Sequence, residues 1–178
     1  MTFSNPSANA AVAAASYVRA LLDVLGSRDP LTVMAELMPW IEQRVRGVPD
    51  AALRRPEAPG KWSVLQVIQH LADSELVMGY RIRMVLTQDY PPLPGYDQDQ
   101  WAREFQYDQV PLTLSLDQLR ALRTANLHLW SRLSSRQLER VGLHAERGAE
   151  SVGHLLRLLG AHDLVHRRQI DRILSSAG

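Results

Sequence analysis

The sequence predicts an all-α protein, and three observations support that class. Apolar residues recur every three or four positions along four long segments, which is the spacing of one face of an α-helix. Runs of alternating β-branched residues, which are typical of strands, are missing. Prolines and glycines concentrate in two connecting segments. We therefore expect a four-helix bundle, with an additional short helix at the N-terminal end.

The first two helices are predicted from the residues at their ends. The short N-terminal helix runs from about Ala10 to Leu25, and Gly26 ends it. Asp29 and Pro30 then open the first bundle helix, which continues to about Arg46.

The second bundle helix has the clearest start signal. Ser63 is a natural N-cap, and Gln66 completes a capping box, so a helix is predicted from Val64 to about Thr87. One face of this helix combines apolar residues with a single carboxylate: Val64, Ile68, Leu71, Glu75, Met78, Ile82 and Val85.

A long connection separates the second and third bundle helices. Residues 88–113 are interrupted by Pro91, Pro92, Pro94, Gly95 and Pro111, which prevent a continuous helix. The third bundle helix is predicted from about Ser115 to Leu133, and the fourth from about Ser151 to Leu174. The predicted fold is thus a four-helix bundle with a long crossover between its second and third helices.

Composition limits the possible functions. With 178 residues, the chain fits a single domain that spans positions 1–178 and folds around one core. It has no cysteine, so disulfides, thiolate ligands and a cysteine nucleophile are excluded. The net charge of +1 argues against a nucleic-acid partner.

The sequence also predicts a location. The alanine-rich stretch from Ala8 to Leu25 lacks a basic start and contains Arg19 and Asp23, so we do not expect it to be a signal peptide. No stretch approaches the roughly 20 apolar residues that cross a bilayer. We expect a cytoplasmic protein without a membrane partner.

Three histidines are the candidate metal ligands. His162 and His166 are four residues apart on an apolar helix face, so their side chains lie one turn apart and can reach one ion. His70 lies close to the inward face of the second bundle helix and supplies a third imidazole. Three neutral imidazoles leave a tetrahedral ion one open position, as in catalytic sites. The alternative is that these are core histidines that are hydrogen-bonded to Tyr, Asp or water.

The sequence resembles the DinB-like (DinB/YfiT) superfamily over nearly its whole length. The matching segments are Gly60-Lys61-Trp62-Ser63, Gln69-His70-Leu71-Ala72-Asp73-Ser74-Glu75, Tyr96-Asp97 with Trp101, and His162-Asp163-Leu164-Val165-His166-Arg167-Arg168-Gln169-Ile170. The most specific is the last one. The histidine triad of the family falls here on His70, His162 and His166.

The resemblance implies several properties beyond the fold. They are a divalent metal ion, often nickel or zinc, and frequently a homodimer. Relatives with a known activity include enzymes that use a low-molecular-weight thiol, mycothiol or bacillithiol, for isomerisation or S-transfer. A thiol cofactor is therefore possible, and Arg81, Arg83 or Arg168 could bind its charged groups.

Glu75 and Arg168 have two interpretations each. Glu75 could accept a hydrogen bond from a ligand imidazole or act as a general base, or it could form an ion pair with Arg168 across the bundle. Arg168 is otherwise a candidate for the binding pocket. Asp163 points about 100 degrees away from His162, so we expect it to be a solvated charge.

The remaining polar and aromatic candidates lie around the predicted pocket. Asn126 could line the pocket or fix the register of its helix. Tyr96, Trp101 and Tyr107 could be pocket walls or could anchor the crossover. Two further expectations concern histidines: His144 is a candidate for the pocket rim, and surface or capping positions are expected for His128 and His154.

Two functions follow as hypotheses. The first is a metal-dependent transferase or hydrolase that acts on a small molecule by activating water or a low-molecular-weight thiol. The second is a noncatalytic, stress-related bundle that has a structural metal or binds a small ligand or a partner. An exchangeable position on the metal would favour the first, and a closed coordination sphere the second.

Overall fold

The computed structural model describes residues 10–175. Its helices and strands follow in chain order: α1 (Ala10–Leu25), α2 (Pro30–Val45), α3 (Asp50–Leu53), α4 (Val64–Thr87), β1 (Pro92–Leu93), α5 (Gln98–Glu104), α6 (Leu112–Trp130), α7 (Ser135–Leu138), β2 (Val141–His144), β3 (Gly148–Ser151) and α8 (Val152–Ser175). The four bundle helices are α2, α4, α6 and α8.

Local capping explains where the helices begin. The Asp29 side chain accepts a hydrogen bond from the Thr32 backbone N–H at 2.8 Å, and Pro30 occupies the first turn of α2. The predicted capping box of α4 is present, with reciprocal hydrogen bonds between Ser63 and Gln66. Helix α6 begins three residues before the predicted start, immediately after Pro111.

The bundle core contains two apolar clusters, one toward each end of the helices. Helix α4 packs against both α6 and α8, and α2 also packs against α8 and α6. One apolar cluster joins the start of α4 to the end of α8, and its buried members include Leu37, Ile41, Ile68, Leu71, Leu119 and Ile170. A second cluster joins the end of α4 to the start of α8 and includes Met34, Ile82, Val85, Trp130, Leu155 and Leu159. Since α4 and α8 are antiparallel, residues near the start of α4 face the second half of α8.

Helix α1 packs on the outside of the bundle. Its Leu21 and Leu25 are buried against Leu158, Ala161 and Leu164 of α8. This contact covers a third side of α8, which already packs against α2 and α4.

A small sheet closes one end of the bundle, next to the start of α8. Strand β1, in the crossover, pairs in parallel with β2, and β2 pairs antiparallel with β3. A Cβ atom on Gly142 would approach Leu93 and Val85 to 2.8 Å, so only glycine fits where β2 crosses the end of α4. These strands of two to four residues lack the alternating pattern that predicts strands, and the protein remains mostly helical.

The crossover is long, as predicted, but it is not without structure. It contains β1 and α5, and Tyr107 anchors its final part by donating a hydrogen bond from its phenol to the buried Asp73 carboxylate of α4. Among the residues that the structure describes, no helix is both long and apolar enough to span a membrane.

Candidate metal centre

The three predicted ligands converge inside the bundle. His70 comes from α4, and His162 and His166 come from successive turns of α8. The Nε2 atom of His162 lies 3.0 Å from the Nε2 atoms of both His70 and His166. One nitrogen from each ring falls within 4.8 Å of the others, so the predicted convergence is confirmed. His70 and His166 are buried, and His162 is half-buried.

The protonation states of the three rings suit a metal ion. Burial, and after it the neighbouring His166, holds the pKa of His70 well below its usual range. Burial likewise lowers the pKa of His162, and that of His166 to about 4. The rings are therefore neutral near pH 7, and a neutral imidazole is the form that binds a metal.

The hydrogen bond of His166 orients its lone pair. The Nδ1 atom of His166 lies 2.7 Å from the Oε1 atom of Gln169, so Nδ1–H donates to the amide oxygen. The Nε2 lone pair then points toward the neighbouring histidines, and metal-binding imidazoles commonly donate their other N–H to an acceptor in this way. No carboxylate of the described chain joins this cluster. The donor set thus fits one divalent ion with three nitrogen ligands.

Crossover residues cover the α4 side of the cluster. The Ser74 hydroxyl lies 3.4 Å from His70 Nε2, and the Tyr96 phenol lies 3.1 Å from the Ser74 hydroxyl. The Trp101 ring packs on Tyr96 at a centroid distance of 4.6 Å. Tyr96 therefore lies beside the centre, and Trp101 one layer farther out.

A buried arginine joins the helices behind the histidines. Arg123 of α6 forms ion pairs with Glu75 of α4 at 2.9 Å and with Asp163 of α8 at 2.6 Å, and it donates to the Met34 carbonyl of α2 at 2.8 Å. Asn126 donates to the Glu75 carboxylate at 2.9 Å. One guanidinium therefore connects all four bundle helices.

This network corrects two expectations. Glu75 does not pair with Arg168, because its carboxylate is occupied by Arg123 and Asn126. Asp163 is not a solvated charge, because α8 is covered on several sides and a position 100 degrees from His162 is still interior. Burial raises the pKa of both Glu75 and Asp163, and Arg123 opposes that effect.

The structure does not bring the other candidates into the cluster. Arg168 lines an outer groove of about 400 Å³ between α2 and α8, together with Trp40 and Arg167. Asn126 hydrogen-bonds between α6 and α4 rather than to a histidine. His144 is buried in β2, where it accepts a hydrogen bond from the Glu146 backbone. His128 is exposed.

Sequence reasoning assigned no role to three residues that support the centre. Ser74 and Gln169 lie four residues after His70 and three after His166, and this helical spacing could have identified both. Arg123 lies three residues before Asn126, on the same helix face. A charged residue on that otherwise apolar helix face was the signal that could have identified Arg123.

The chain is similar to proteins whose names refer to metal-dependent hydrolysis. A protein of Oceanobacillus iheyensis named "Putative metal-dependent hydrolase" is 30% identical over 135 residues, which are 75% of this chain and 77% of that protein. A protein of Halalkalibacterium halodurans with the same description is 30% identical over 111 residues, 61% of this chain and 64% of that one.

A solved structure shows the same architecture. YfiT from Bacillus subtilis superposes with a TM-score of 0.76 and 26% identity, over 81% of this chain and 83% of that one. It is described as "a probable metal-dependent hydrolase with an unusual four-helix bundle topology". The family model of the DinB superfamily matches residues 41–170, a range that contains all three histidines. The chain belongs to the DinB superfamily.

Proposed function

We propose that this protein is a hydrolase that uses one divalent metal ion, held by His70, His162 and His166, to activate water against a small-molecule substrate. The observation that supports this most directly is the convergence of three neutral imidazoles within 4.8 Å, with no carboxylate among them. The names of the relatives agree with this reaction class.

The donor set determines what an ion could do here. Three neutral ligands leave the full charge of a divalent ion uncompensated, and such an ion supplies Lewis acidity that lowers the pKa of water. Zinc and nickel both accept imidazole nitrogen, so the proposal includes either.

Residues around the histidines have distinct roles in this proposal. Gln169 holds His166 in the tautomer whose Nε2 lone pair faces the centre. Burial, the largest effect, raises the pKa of Tyr96, so its phenol keeps its proton near pH 7. Tyr96 and Ser74 can therefore donate hydrogen bonds to a substrate oxygen beside His70.

Glu75 acts structurally in this proposal rather than as the general base. Its carboxylate is buried, and Arg123 and Asn126 occupy both of its oxygens. A base must be within hydrogen-bond reach of the proton that it takes up, and these contacts hold Glu75 toward α6 instead.

Cobalt substitution tests the open position without knowledge of the substrate. The full-length protein is loaded with Co²⁺, and its visible absorption is followed while thiocyanate is added. We expect an absorption shift, because an exchangeable position accepts the anion. An unchanged spectrum with stoichiometric cobalt would indicate a closed, structural site and would contradict the proposal.

Activity assays separate hydrolysis from thiol transfer, which needs the same three ligands. Ester and phosphoester model substrates are tested with zinc- and nickel-loaded protein, with and without a low-molecular-weight thiol. Metal-dependent turnover without thiol supports the hydrolase. Turnover that strictly requires the thiol would assign the protein to the transferases instead.

A further inference from the structure

A stripe of polar side chains extends along α4 from the histidines to a buried arginine. Ser74 and Arg81 follow His70 by four and eleven residues, which keeps all three on one side of the helix. The crossover lies on this stripe, because the Tyr96 phenol contacts Ser74 and the Pro94 carbonyl accepts a hydrogen bond from Arg81.

The Arg81 side chain points toward the histidines. Its Nη1 atom lies 3.9 Å from the Met78 sulfur, one turn closer to the start of α4, as expected for long side chains in helices. The Cα atoms of His70 and Arg81 are about 16 Å apart along the helix axis. Because the Arg81 side chain points back toward the start of α4, its guanidinium is closer to His70 than its Cα atom is.

Arg81 is buried without a counter-charge of its own. The residue is only 6% exposed, and its hydrogen-bond partners among the described residues, the Pro94 carbonyl and the Met78 sulfur, are both neutral. Its Nε atom has no partner among the residues that the structure describes. A buried guanidinium in this state is costly unless an anion compensates it.

The neighbouring charges leave an excess of one positive charge. Burial lowers the pKa of Arg81, and so does the nearby Arg147, whereas Tyr96 and Glu150 raise it. Glu150 is already held by Arg147 through two hydrogen bonds of 2.6 and 2.9 Å. The adjacent His144 is neutral near pH 7, because burial, Arg147 and Arg81 lower its pKa to about 4.

A cleft on the protein surface lies next to this charged region. It has a volume of about 570 Å³ between α1 and the β2–β3 hairpin, and its charged lining comprises Arg19, Asp23, Glu146, Arg147 and Glu150. The Tyr17 phenol is an electrostatic neighbour of both Arg147 and Tyr96.

We propose that Arg81, supported by Arg147, is an anion subsite that binds the carboxylate or phosphate group of a small substrate whose reacting group lies at the histidine cluster. The position of the reacting group rests on the proposed function, whereas the anion site itself does not. A guanidinium presents paired N–H donors that match an oxyanion.

The experiment measures anion binding by the full-length protein, with and without bound zinc. Inorganic phosphate and acetate are titrated separately by calorimetry, which shows whether the site prefers phosphate or carboxylate. The same titrations are repeated with Arg81→Gln and with Arg132→Gln, an exposed arginine near the end of α6 that serves as the matched control. We expect Arg81→Gln to weaken binding by about ten- to a hundredfold, with or without zinc, and Arg132→Gln to leave it unchanged.

A second measurement does not require Arg81→Gln to fold. In the wild-type protein, the arginine Nε–Hε signals are followed by NMR during the phosphate titration, with the Arg81 signal assigned from Arg81→Lys. We expect a shift of the Arg81 signal that saturates with the calorimetric affinity.

The outcomes distinguish this subsite from the metal site. Binding that requires zinc and is insensitive to Arg81→Gln would place the anion on the metal, which overturns the subsite and leaves the proposed hydrolase intact. Absence of binding by either anion would also overturn it. Binding by zinc-free protein that depends on Arg81 supports the subsite even if the hydrolase proposal fails.

Discussion

At the histidine cluster, neighbours one turn away decide what the rings can bind. Gln169 fixes the proton of His166 on Nδ1, and Ser74 lies within 3.4 Å of His70 Nε2. The Nδ1 atoms of His70 and His162 are buried and have no hydrogen-bond partner among the residues that the structure describes, which is unfavourable because polar atoms inside a protein need partners. The cluster therefore does not serve stability.

His166→Ala should remove metal binding while the fold survives. Two imidazoles remain, and the stability of the bundle comes mainly from its leucine, isoleucine and valine contacts. Elemental analysis measures metal content, and circular dichroism measures helix content. His128→Ala, an exposed histidine on α6, is the control and should keep its metal. Stoichiometric metal in His166→Ala would rule out the proposed ligand role.

Arg123→Met should be among the most destabilising single changes. It leaves the Glu75 and Asp163 carboxylates buried without their cation, and breaking a buried pair in this way costs about 3–5 kcal/mol. Urea denaturation measures the free energy of unfolding. Arg120→Met, on the same helix, loses only exposed ion pairs and should cost far less. Equal costs for the two variants would refute the assigned role of Arg123.

At the scale of the elements, close helix contacts depend on glycine. A Cβ atom on Gly79 of α4 would lie 2.6 Å from the Asn126 amide nitrogen of α6, and Asn126 holds Glu75. The α4–α6 contact and the Arg123 network are therefore coupled through this position.

Gly79→Ala should destabilise the protein, although alanine is the better helix former. Displacing Asn126 should cost about 1–3 kcal/mol, which exceeds the helix-propensity gain of about 1 kcal/mol. Gly153→Ala in α8 is the matched control, because its Cβ would meet Leu138 at an ordinary 3.5 Å. Thermal melting compares the two variants. A melting temperature of Gly79→Ala that is equal to or above that of Gly153→Ala would contradict this prediction. It would show that Asn126 and α6 can move aside at little cost.

Elements with strong local signals were predicted accurately. Helix α4 begins and ends at the predicted residues, because a capping box and a long apolar face determine it locally. The predicted end of α6 is three residues too late, since the apolar Leu133 continues the periodic pattern after the helix has ended at Trp130. Strands β1 and β2 were not predicted, because they have no local sequence pattern. They pair where the tertiary structure brings the crossover beside the β2–β3 hairpin.

For the whole molecule, a bound metal ion should add stability. An ion that binds only the folded state stabilises it by about 2.7 kcal/mol at a hundredfold excess over its Kd. Verified removal of the ion with a chelator should therefore lower the melting temperature, and zinc should restore it. His166→Ala should melt at one temperature with or without chelator. An unchanged wild-type melting curve after removal would contradict this expectation.

The homodimer stays a prediction at this scale. Leu76 and Tyr80, one turn apart on α4, are large apolar side chains that are about half exposed in the single chain. Light scattering should give twice the 20.0 kDa mass of the chain. Tyr80→Lys should lower the measured mass if this face forms the contact, whereas Tyr90→Lys, an exposed tyrosine in the crossover, should not.

The sequence by itself determined the helical class, the long crossover and the His162–His166 pair, because each depends on spacing within one helix or on proline and glycine between helices. The inward-leaning position of His70 and the family resemblance added it to that pair. The tertiary structure alone decided which polar residues meet. His70 and His162 are 92 residues apart, and Arg123 and Asp163 are 40 apart. Whether Asp163 faces water or a buried guanidinium depends on how many sides of α8 are covered, and only the packing of all the helices sets that environment.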